Sequence, residues 1–243
     1  MSTLLEVRTQ FAKLSGRYDL VTGAFADSGA DYYLKAGVKL LDRLGGIEFA
    51  KDVSKFFKTM AIGVFFVEFS NWRTTDKVWF ATTAGGRWEL EYLTPAEMQT
   101  LQGTEPYADV TDGTPAYFTQ AITRSVPEGT ALSTIGNYGS EILVDGTQTS
   151  KQGLIIMPAS DTAGMIEVWG KYETPWPSAE NKDNYWFSVF PHLAVNAGLY
   201  QLEVSYRNTE GAKDWLAAIQ LELTGIDRDI VENDANRAEE MEG

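Results

Sequence analysis

The sequence predicts an α+β fold: a helical bundle formed by the N- and C-terminal helices, with an inserted antiparallel β-sandwich-like domain. Three observations lead there. Apolar residues recur at three- and four-residue steps near both ends, short aromatic and β-branched runs fill the middle, and clusters of Gly, Pro, Asp and Ser separate those runs. With 243 residues, 44% apolar and 22% charged, the chain has ample material for one large or two small domains. The expected division is 1–55 for the N-terminal helices, 56–177 for the β-domain, 178–232 for the C-terminal helices and 233–243 for an acidic tail.

Leu4, Val7, Phe11 and Leu14 keep helical spacing, and Ser15-Gly16 ends this first helix. A loop runs from Arg17 to Asp27. Ser28 then offers a hydroxyl cap with Asp31 three residues on, a variant of the capping box, and Tyr33, Leu34, Leu40, Leu41 and Leu44 continue the helix to Gly45-Gly46. Beyond Phe56 the character changes. Phe65 to Phe69, Lys77 to Phe80 and Arg87 to Tyr92 read as strands, with Gly85-Gly86 as a hairpin turn between the last two. Thr94-Pro95-Ala96-Glu97 has the form of a cap, a first-turn proline and a carboxylate, which predicts a short helix to about Leu101. Gly103 to Pro115 reads as an exposed loop. Tyr117 to Val126, Glu141 to Val144, Leu154 to Met157 and Met165 to Tyr172 complete about seven strands, a count that suits a sandwich.

Thr174-Pro175-Trp176-Pro177 is a stiff extended link back to the helices. Trp186, Phe190, Leu193, Ala197, Tyr200 and Val204 then trace one helical face, interrupted early by Pro191, so that a main helix starts near Pro191 or a lead-in helix bends there. Asn208 to Gly211 reads as a turn, and Trp215, Ile219, Leu223, Ile226 and Ile230 form a second stripe. Two antiparallel helices cannot bury both stripes against each other alone, which makes the helix after Ser28 their natural third partner. Asn233 to Gly243 lacks apolar periodicity and is expected to be a disordered or partner-ordered tail.

Chemistry is sparse in this sequence. The net charge of −14 opposes tight nucleic-acid binding, which needs clustered Lys and Arg. The absence of cysteine removes disulfides, thiolate nucleophiles and Cys-ligated zinc. Met60 to Phe69, the longest apolar stretch, is about half the ~20 residues of a spanning helix, and Met1-Ser2-Thr3 lacks a signal-peptide layout, so a soluble protein with no membrane partner is expected. His192 is the single histidine and stands beside Pro191 with no nucleophile signature to serve. No phosphate loop, dinucleotide fingerprint or zinc-protease motif is present. Asp227, Asp229, Glu232 and Asp234 suggest calcium, but an EF-hand loop needs glycine at its sixth position, where Glu232 stands. Glu89 and Glu91 alternate on one strand as a glycosidase pair would, although paired strand acids commonly just face water. Trp79 and Trp88 are either core aromatics or a sugar-stacking platform. The reading expects no catalytic residue, no cofactor-binding residue, no metal ligand and no enzyme.

Several stretches carry a resemblance. Phe57-Lys58-Thr59-Met60-Ala61-Ile62-Gly63, Val78-Trp79-Phe80, Gly86-Arg87-Trp88, Gly113-Thr114-Pro115-Ala116-Tyr117-Phe118 and Leu154 to Asp161, in that order, resemble the head-to-tail adaptor (connector or neck) proteins of tailed bacteriophages. Ser15-Gly16-Arg17-Tyr18-Asp19-Leu20, Gly29-Ala30-Asp31-Tyr32-Tyr33 and the Phe190-Pro191 helix extend the similarity over nearly the whole chain, from about Leu4 to Ile230. The helix before Asn208 carries more polar residues than the alanine-rich version usual in that family, and the tail after Asn233 fits no shared pattern.

The resemblance implies a structural virion protein made in the host cytoplasm and placed at the head–tail junction. Such adaptors form a ring under the portal, generally twelvefold, contact the portal protein and tail or nozzle proteins, and leave a channel through which genomic DNA passes without specific binding. A heterologous ring needs two different complementary faces on each subunit. An acidic balance suits a channel wall, because carboxylates repel phosphate where lysines would grip it. Under this reading the segment from about Thr224 orders on the portal. The rival is a carbohydrate-binding β-sandwich module with Trp79, Trp88 or Trp176 as its platform, and a hydrolase using Glu89 and Glu91 comes third.

Overall fold

The computed structural model describes residues 2–44, 54–69, 72–102, 112–122, 124–125, 143–144 and 152–242. It is a mixed α+β protein with six helices among the described residues. The chain divides into two compact units: Met1–Glu48 with Glu173–Gly243, and Phe49–Tyr172.

The first unit is helical. Helix α1, Leu4–Ser15, opens with a capping box in which Glu6 N–H donates to Thr3 Oγ1 and Thr3 N–H donates to Glu6 Oε2. It closes on Gly16 at φ 67°, a left-handed conformation that glycine adopts without a Cβ penalty. Val7 and Phe11 on its inner face are fully buried, whereas Leu14 is exposed. Helix α2, Ala30–Leu44, is capped differently from the expectation: Asp27 Oδ1 accepts from the backbone N–H of both Gly29 and Asp31 at 2.9 Å, so the cap comes from Asp27 and not Ser28. Asp31 is turned to Arg8 instead. The end at Gly45-Gly46 lies outside the described residues.

At Pro191 the structure shows both of the alternatives that the proline allowed. A short helix α4, Tyr185–Val189, is capped by Asn184 Oδ1, and Pro191 occupies the first turn of α5, Pro191–Ser205, where its missing N–H costs nothing. Helix α5 packs against α1, α2, α4 and α6. It is therefore buried around most of its girth, through Leu193, Ala194, Val195, Ala197, Gly198, Leu199 and Leu202. The predicted single stripe is thus too narrow at the start and wrong at the end: Tyr200 is half-buried and Val204 exposed. Close packing centres on Gly37, where an added Cβ would stand 2.6 Å from the Ala197 carbonyl carbon and the Gly198 nitrogen. Only a residue without a side chain lets the two helix backbones approach that closely.

Helix α6 begins at Thr209, so the turn is Tyr206 to Asn208, with Arg207 at φ 59°, and does not extend to Gly211. Its buried stripe of Ile219, Leu223 and Ile226 follows the predicted spacing. The helix then continues to Glu242, through the stretch from Asn233 where a disordered or partner-ordered tail was expected. The residues there are mostly Ala, Glu, Arg, Asn and Met, with neither Gly nor Pro before Gly243 to stop the helix.

Among the described residues of this unit, two charged side chains are buried. Arg8 is 2% exposed; it donates two hydrogen bonds to the Asp31 carboxylate at 2.8 and 2.9 Å, one to Glu180 at 2.6 Å and one to the Phe25 carbonyl at 3.0 Å. Burial alone would lower its pKa, but the bonds to Asp31 and Glu180 outweigh that and hold it above the ordinary arginine value. Asp42 accepts from Thr174 N–H and Oγ1 and from Trp186 Nε1, at 2.6 to 2.7 Å.

The second unit is not an antiparallel sandwich. Seven strands form one mixed sheet: β1 (Ser54–Met60), β2 (Phe66–Glu68), β3 (Trp72–Thr82), β4 (Arg87–Tyr92), β6 (Tyr117–Ile122), β9 (Gln152–Met157) and β11 (Gly164–Tyr172). Their order is β1-β11-β3-β4-β6-β9-β2, antiparallel except where β4 meets β6 in parallel. The end strands β1 and β2 are neighbours in sequence, and the ring of Phe56 meets that of Phe69 at 5.1 Å, while Lys58 Nζ donates to the Glu68 carbonyl at 2.6 Å. The sheet thus curls until its two edges nearly close, and one sheet encloses what two sandwich layers were expected to enclose. Its interior holds Met60, Val67, Val78, Phe80, Leu90, Phe118, Leu154, Ile156, Ile166 and Val168.

The predicted helix near Thr94 is present as α3, Pro95–Gln102, with Thr94 and Glu97 capping each other. Met98 of α3 joins Phe65, Phe66, Ile155 and Met157 in a second cluster on the outer face. That covering explains why β9 reads as an unbroken apolar run, since both of its faces are buried. Two-residue strands complete the unit: β5 (Asp112–Gly113) pairs with β10 (Ala159–Ser160), and β7 (Arg124–Ser125) with β8 (Leu143–Val144). The expected loop from Gly103 to Pro115 therefore contains a strand; its residues 103–111 lie outside the described set.

Candidate functional site

The barrel wall shows what became of the sequence candidates. Strand alternation sends Trp88 inward beside Phe80, at 5.3 Å between rings, with its Nε1 donating to the Pro115 carbonyl at 2.7 Å. Trp79 pairs across from Glu89 and points outward, so Trp79 and Trp88 stand on opposite faces and form no common platform. Trp79 is instead covered by its own chain: the Arg87 guanidinium lies 4.1 Å from its ring centroid. Arg87 also pairs with Glu167 at 2.9 Å, and Glu167 accepts from Trp169 Nε1 at 2.7 Å. A cation already fills the face that a ligand would stack on. Trp176 packs edge to face on Phe187 at 5.6 Å in the helical unit.

Glu89 and Glu91 both face outward on β4. Glu89 forms an ion pair with Lys77 at 3.4 Å, and both carboxylates line an open recess of about 340 Å³ with Asp76 and Tyr92. Both side chains are exposed to solvent. His192 is exposed in the first turn of α5. Asp227, Asp229 and Glu232 lie on continuous helix, which replaces the loop that calcium coordination would need. Among the described residues no group of three or more His, Asp or Glu side chains could hold a metal ion, and no helix is long and apolar enough to cross a membrane.

Two features escaped the sequence. A recess of about 480 Å³ opens where β3 begins and β4 and β6 end, lined by Trp72, Arg73, Tyr92, Gln120 and Gln152. These positions lie on β3, β4, β6 and β9, four strands that are distant in sequence and neighbours in the sheet. The second feature is on the helical unit, which exposes large apolar side chains: Leu14, Tyr18, Tyr32, Val204, Tyr206 and Leu221 are each 47 to 77% exposed. Single exposed apolar residues are ordinary, but the Arg17 guanidinium over the exposed Tyr206 ring, 4.9 Å from its centroid, is a pairing of residue types common in protein contacts. Neither a scan of protein families nor a search of curated proteins finds a match to this chain.

Proposed function

We propose that this chain is a structural virion protein, a head-to-tail adaptor whose helical bundle forms a ring beneath a portal and joins the capsid vertex to the tail, with a channel for DNA. The observation that carries this reading is the reach of α6. Its 34 residues span about 51 Å, whereas the 15 residues of α5, against which it packs, span only about 22 Å. Helices in a self-contained domain are normally held by tertiary packing along an apolar face, and that face of α6 is buried from Ile219 to Ile226. Beyond Ile226 the side chains of Asp227, Arg228, Asp229 and Glu232 are exposed, and the added length of the helix is read as a contact for a partner outside the unit. Its acidic surface also suits a position near passing DNA, since carboxylates repel phosphate.

The portal-binding segment begins beyond Ile226, because Leu223 and Ile226 belong to the buried stripe and a cut at Thr224 would damage the unit itself. Deletion of residues 231–243 is expected to abolish binding to assembled portal rings while leaving the circular dichroism spectrum and melting of the protein unchanged apart from the lost helix. Undiminished binding of the shortened protein to portal rings, in a pull-down or by electron microscopy, removes the assignment. A carbohydrate-binding reading now draws on the recess containing Trp72 and Tyr92, since two aromatics, two amides and an arginine are groups that bind sugars. Glycan-array binding lost on Trp72→Ala would favour it.

A further inference from the structure

The barrel sheet forks where β4 ends. Strand β3 is laddered to β11 from Thr82 down to Trp72, but to β4 only over Val78 to Ala81. Strand β6 is laddered to β9 from Tyr117 to Ile122, but to β4 only at Tyr117 and Phe118. The edge of β3 from Trp72 to Lys77 and the edge of β6 from Thr119 to Ile122 therefore border a gap, and among the described residues no strand is laddered to either edge there. The Phe118 carbonyl accepts from Leu93 N–H at 3.0 Å, which fixes that side of β6 as the one toward β4. Backbone groups alternate along a strand, so Gln120 and Ile122 send their N–H and C=O to the same side, into the gap. At its base the gap is as wide as β4 itself, which sets β3 and β6 about 10 Å apart, two strand spacings.

Two recesses lie along that gap. The one of about 340 Å³ is lined by outward-facing Glu89 and Glu91 and also by Leu90 and Phe118, which belong to the interior. The one of about 480 Å³ is lined by Trp72 and Arg73 of β3 and by Gln120 and Ala121 of β6, in each case neighbours that alternation sends to opposite faces. A recess bordered by side chains of both faces lies in the plane of the sheet, where a further strand would run. Tyr92, 51% exposed and edge to face on Phe118 at 5.5 Å, lines both recesses and joins them.

We infer that this gap takes an extended segment of another protein, which completes the ladder between β3 and β6. Strand edges are satisfied by peptide backbone, and two edges that face each other are both satisfied only by a strand between them. That strand runs antiparallel to one wall and parallel to the other, because β4 is antiparallel to β3 and parallel to β6. A second copy of this chain is the poorer occupant. A strand that enters the gap must arrive with both of its own edges free, and every described strand already has a neighbour. The lining also selects side chains. Those turned inward meet Trp72, Leu90 and Phe118, which favours apolar residues at alternate positions. Outside, the smaller recess sets Asp76, Glu89 and Glu91 against Lys77 as its one base, which favours a Lys or Arg at that end, while Arg73 in the larger recess opposes a second. The inference concerns the barrel alone and does not rest on the ring reading, which places portal binding in α6.

The test uses the full-length protein and a display library of random peptides of about ten residues, long enough to cover the free edges. The Tyr92→Ala protein serves for counter-selection. Enriched peptides are expected to lack proline, to carry apolar residues at alternate positions and to hold a Lys or Arg toward one end. The strongest is then synthesised with single backbone N-methyl groups at consecutive positions. A strand held on both sides uses every N–H, so each methyl group in its centre should weaken binding to the wild-type protein by at least about tenfold. Loss at every second position alone would place the peptide on one sheet edge, and no loss at any position would mean side-chain recognition; either overturns the inference. So does a library that shows no enrichment over Tyr92→Ala. Binding to a glycan array that is lost on Trp72→Ala, with no peptide enriched, gives the recess to a sugar. Self-association in sedimentation that Tyr92→Ala abolishes gives it to a second copy, and the inference fails.

Discussion

The two units place their charges in opposite ways. In the helical unit Arg8 and Asp42 are buried, and each ties together segments far apart in the chain: Arg8 reaches Glu180, 172 residues away, and Asp42 reaches Trp186, 144 residues away. In the barrel the interior cluster is wholly apolar, and the corresponding polar group, Arg87 with Glu167, Trp79 and Trp169, lies on the outer wall. The difference follows from how each fold sets register. A strand's neighbours are fixed by its backbone ladder and by alternation, since a slip of one residue would turn its apolar side chains outward. Helices make no backbone bonds to each other, so helix-to-helix position must come from side chains: glycine contacts such as Gly37 on Ala197 and Gly198, or buried hydrogen-bonded charges that fit only one arrangement.

The largest test of that contrast is in the barrel interior. Phe80 is fully buried between Trp88 and the strands around it, and Phe80→Ala is expected to cost about 3–5 kcal/mol from lost burial and the cavity left behind. Hydrogen exchange read by mass spectrometry should show protection lost in peptides from β3, β4 and β11 and kept in those from α1, α2 and α5. Loss spread evenly through both units would break the distinction between them. Next in size is Gly37→Ala. In an open helix this change gains about 1 kcal/mol from propensity. Here the new Cβ would stand 2.6 Å from backbone atoms of α5, which cannot swing aside as a side chain can, so the helices must part. The expected result is net destabilisation of about 1–3 kcal/mol, read as a lower denaturation midpoint with exchange rising in α2 and α5 alone. A neutral or stabilised Gly37→Ala protein would mean that the backbone contact is not what positions these helices.

Punctuation and periodicity made much of the fold legible. Gly16, Gly85, Pro95 and Pro191 each stand where one residue type fits the local backbone, and the positions of α1, α3, α5 and the β3–β4 hairpin followed from them. Strand β1 was missed because Ser54, Lys55, Lys58 and Thr59 make it look polar, although Met60 is buried inside the barrel. The parallel pairing of β4 with β6, which changes a sandwich into a nearly closed sheet, is a long-range fact with no periodic trace. Arg8 and Asp42 could not be distinguished from solvated helix charges, since each is buried by segments that only the folded chain brings together, Glu180 for Arg8 and Trp186 for Asp42. The exposed surfaces were half visible: Leu221 falls outside the stripe of Ile219, Leu223 and Ile226, and that mismatch is the only sequence sign that it faces outward.

The smallest expected effect is invisible at neutral pH and concerns the last residue of β11. Desolvation of the Tyr172 phenol, with the charge of Asp76 adding to it, pushes its pKa up to about 12. The raised value means that the folded protein favours the protonated phenol. Its contribution to stability is therefore complete below the ordinary tyrosine pKa of about 10 and is lost as pH rises from about 10 through 12, where the unfolded chain ionises first. Absorbance titration at high pH should resolve a late tyrosine ionisation near pH 12, about two units above the ordinary tyrosine value. Tyr172→Phe should remove that late step and flatten the fall in barrel stability between pH 10 and 12, with no change at pH 7. A wild-type titration with every tyrosine ionising together near pH 10 would place Tyr172 in water, and the barrel would then be open where β11 ends.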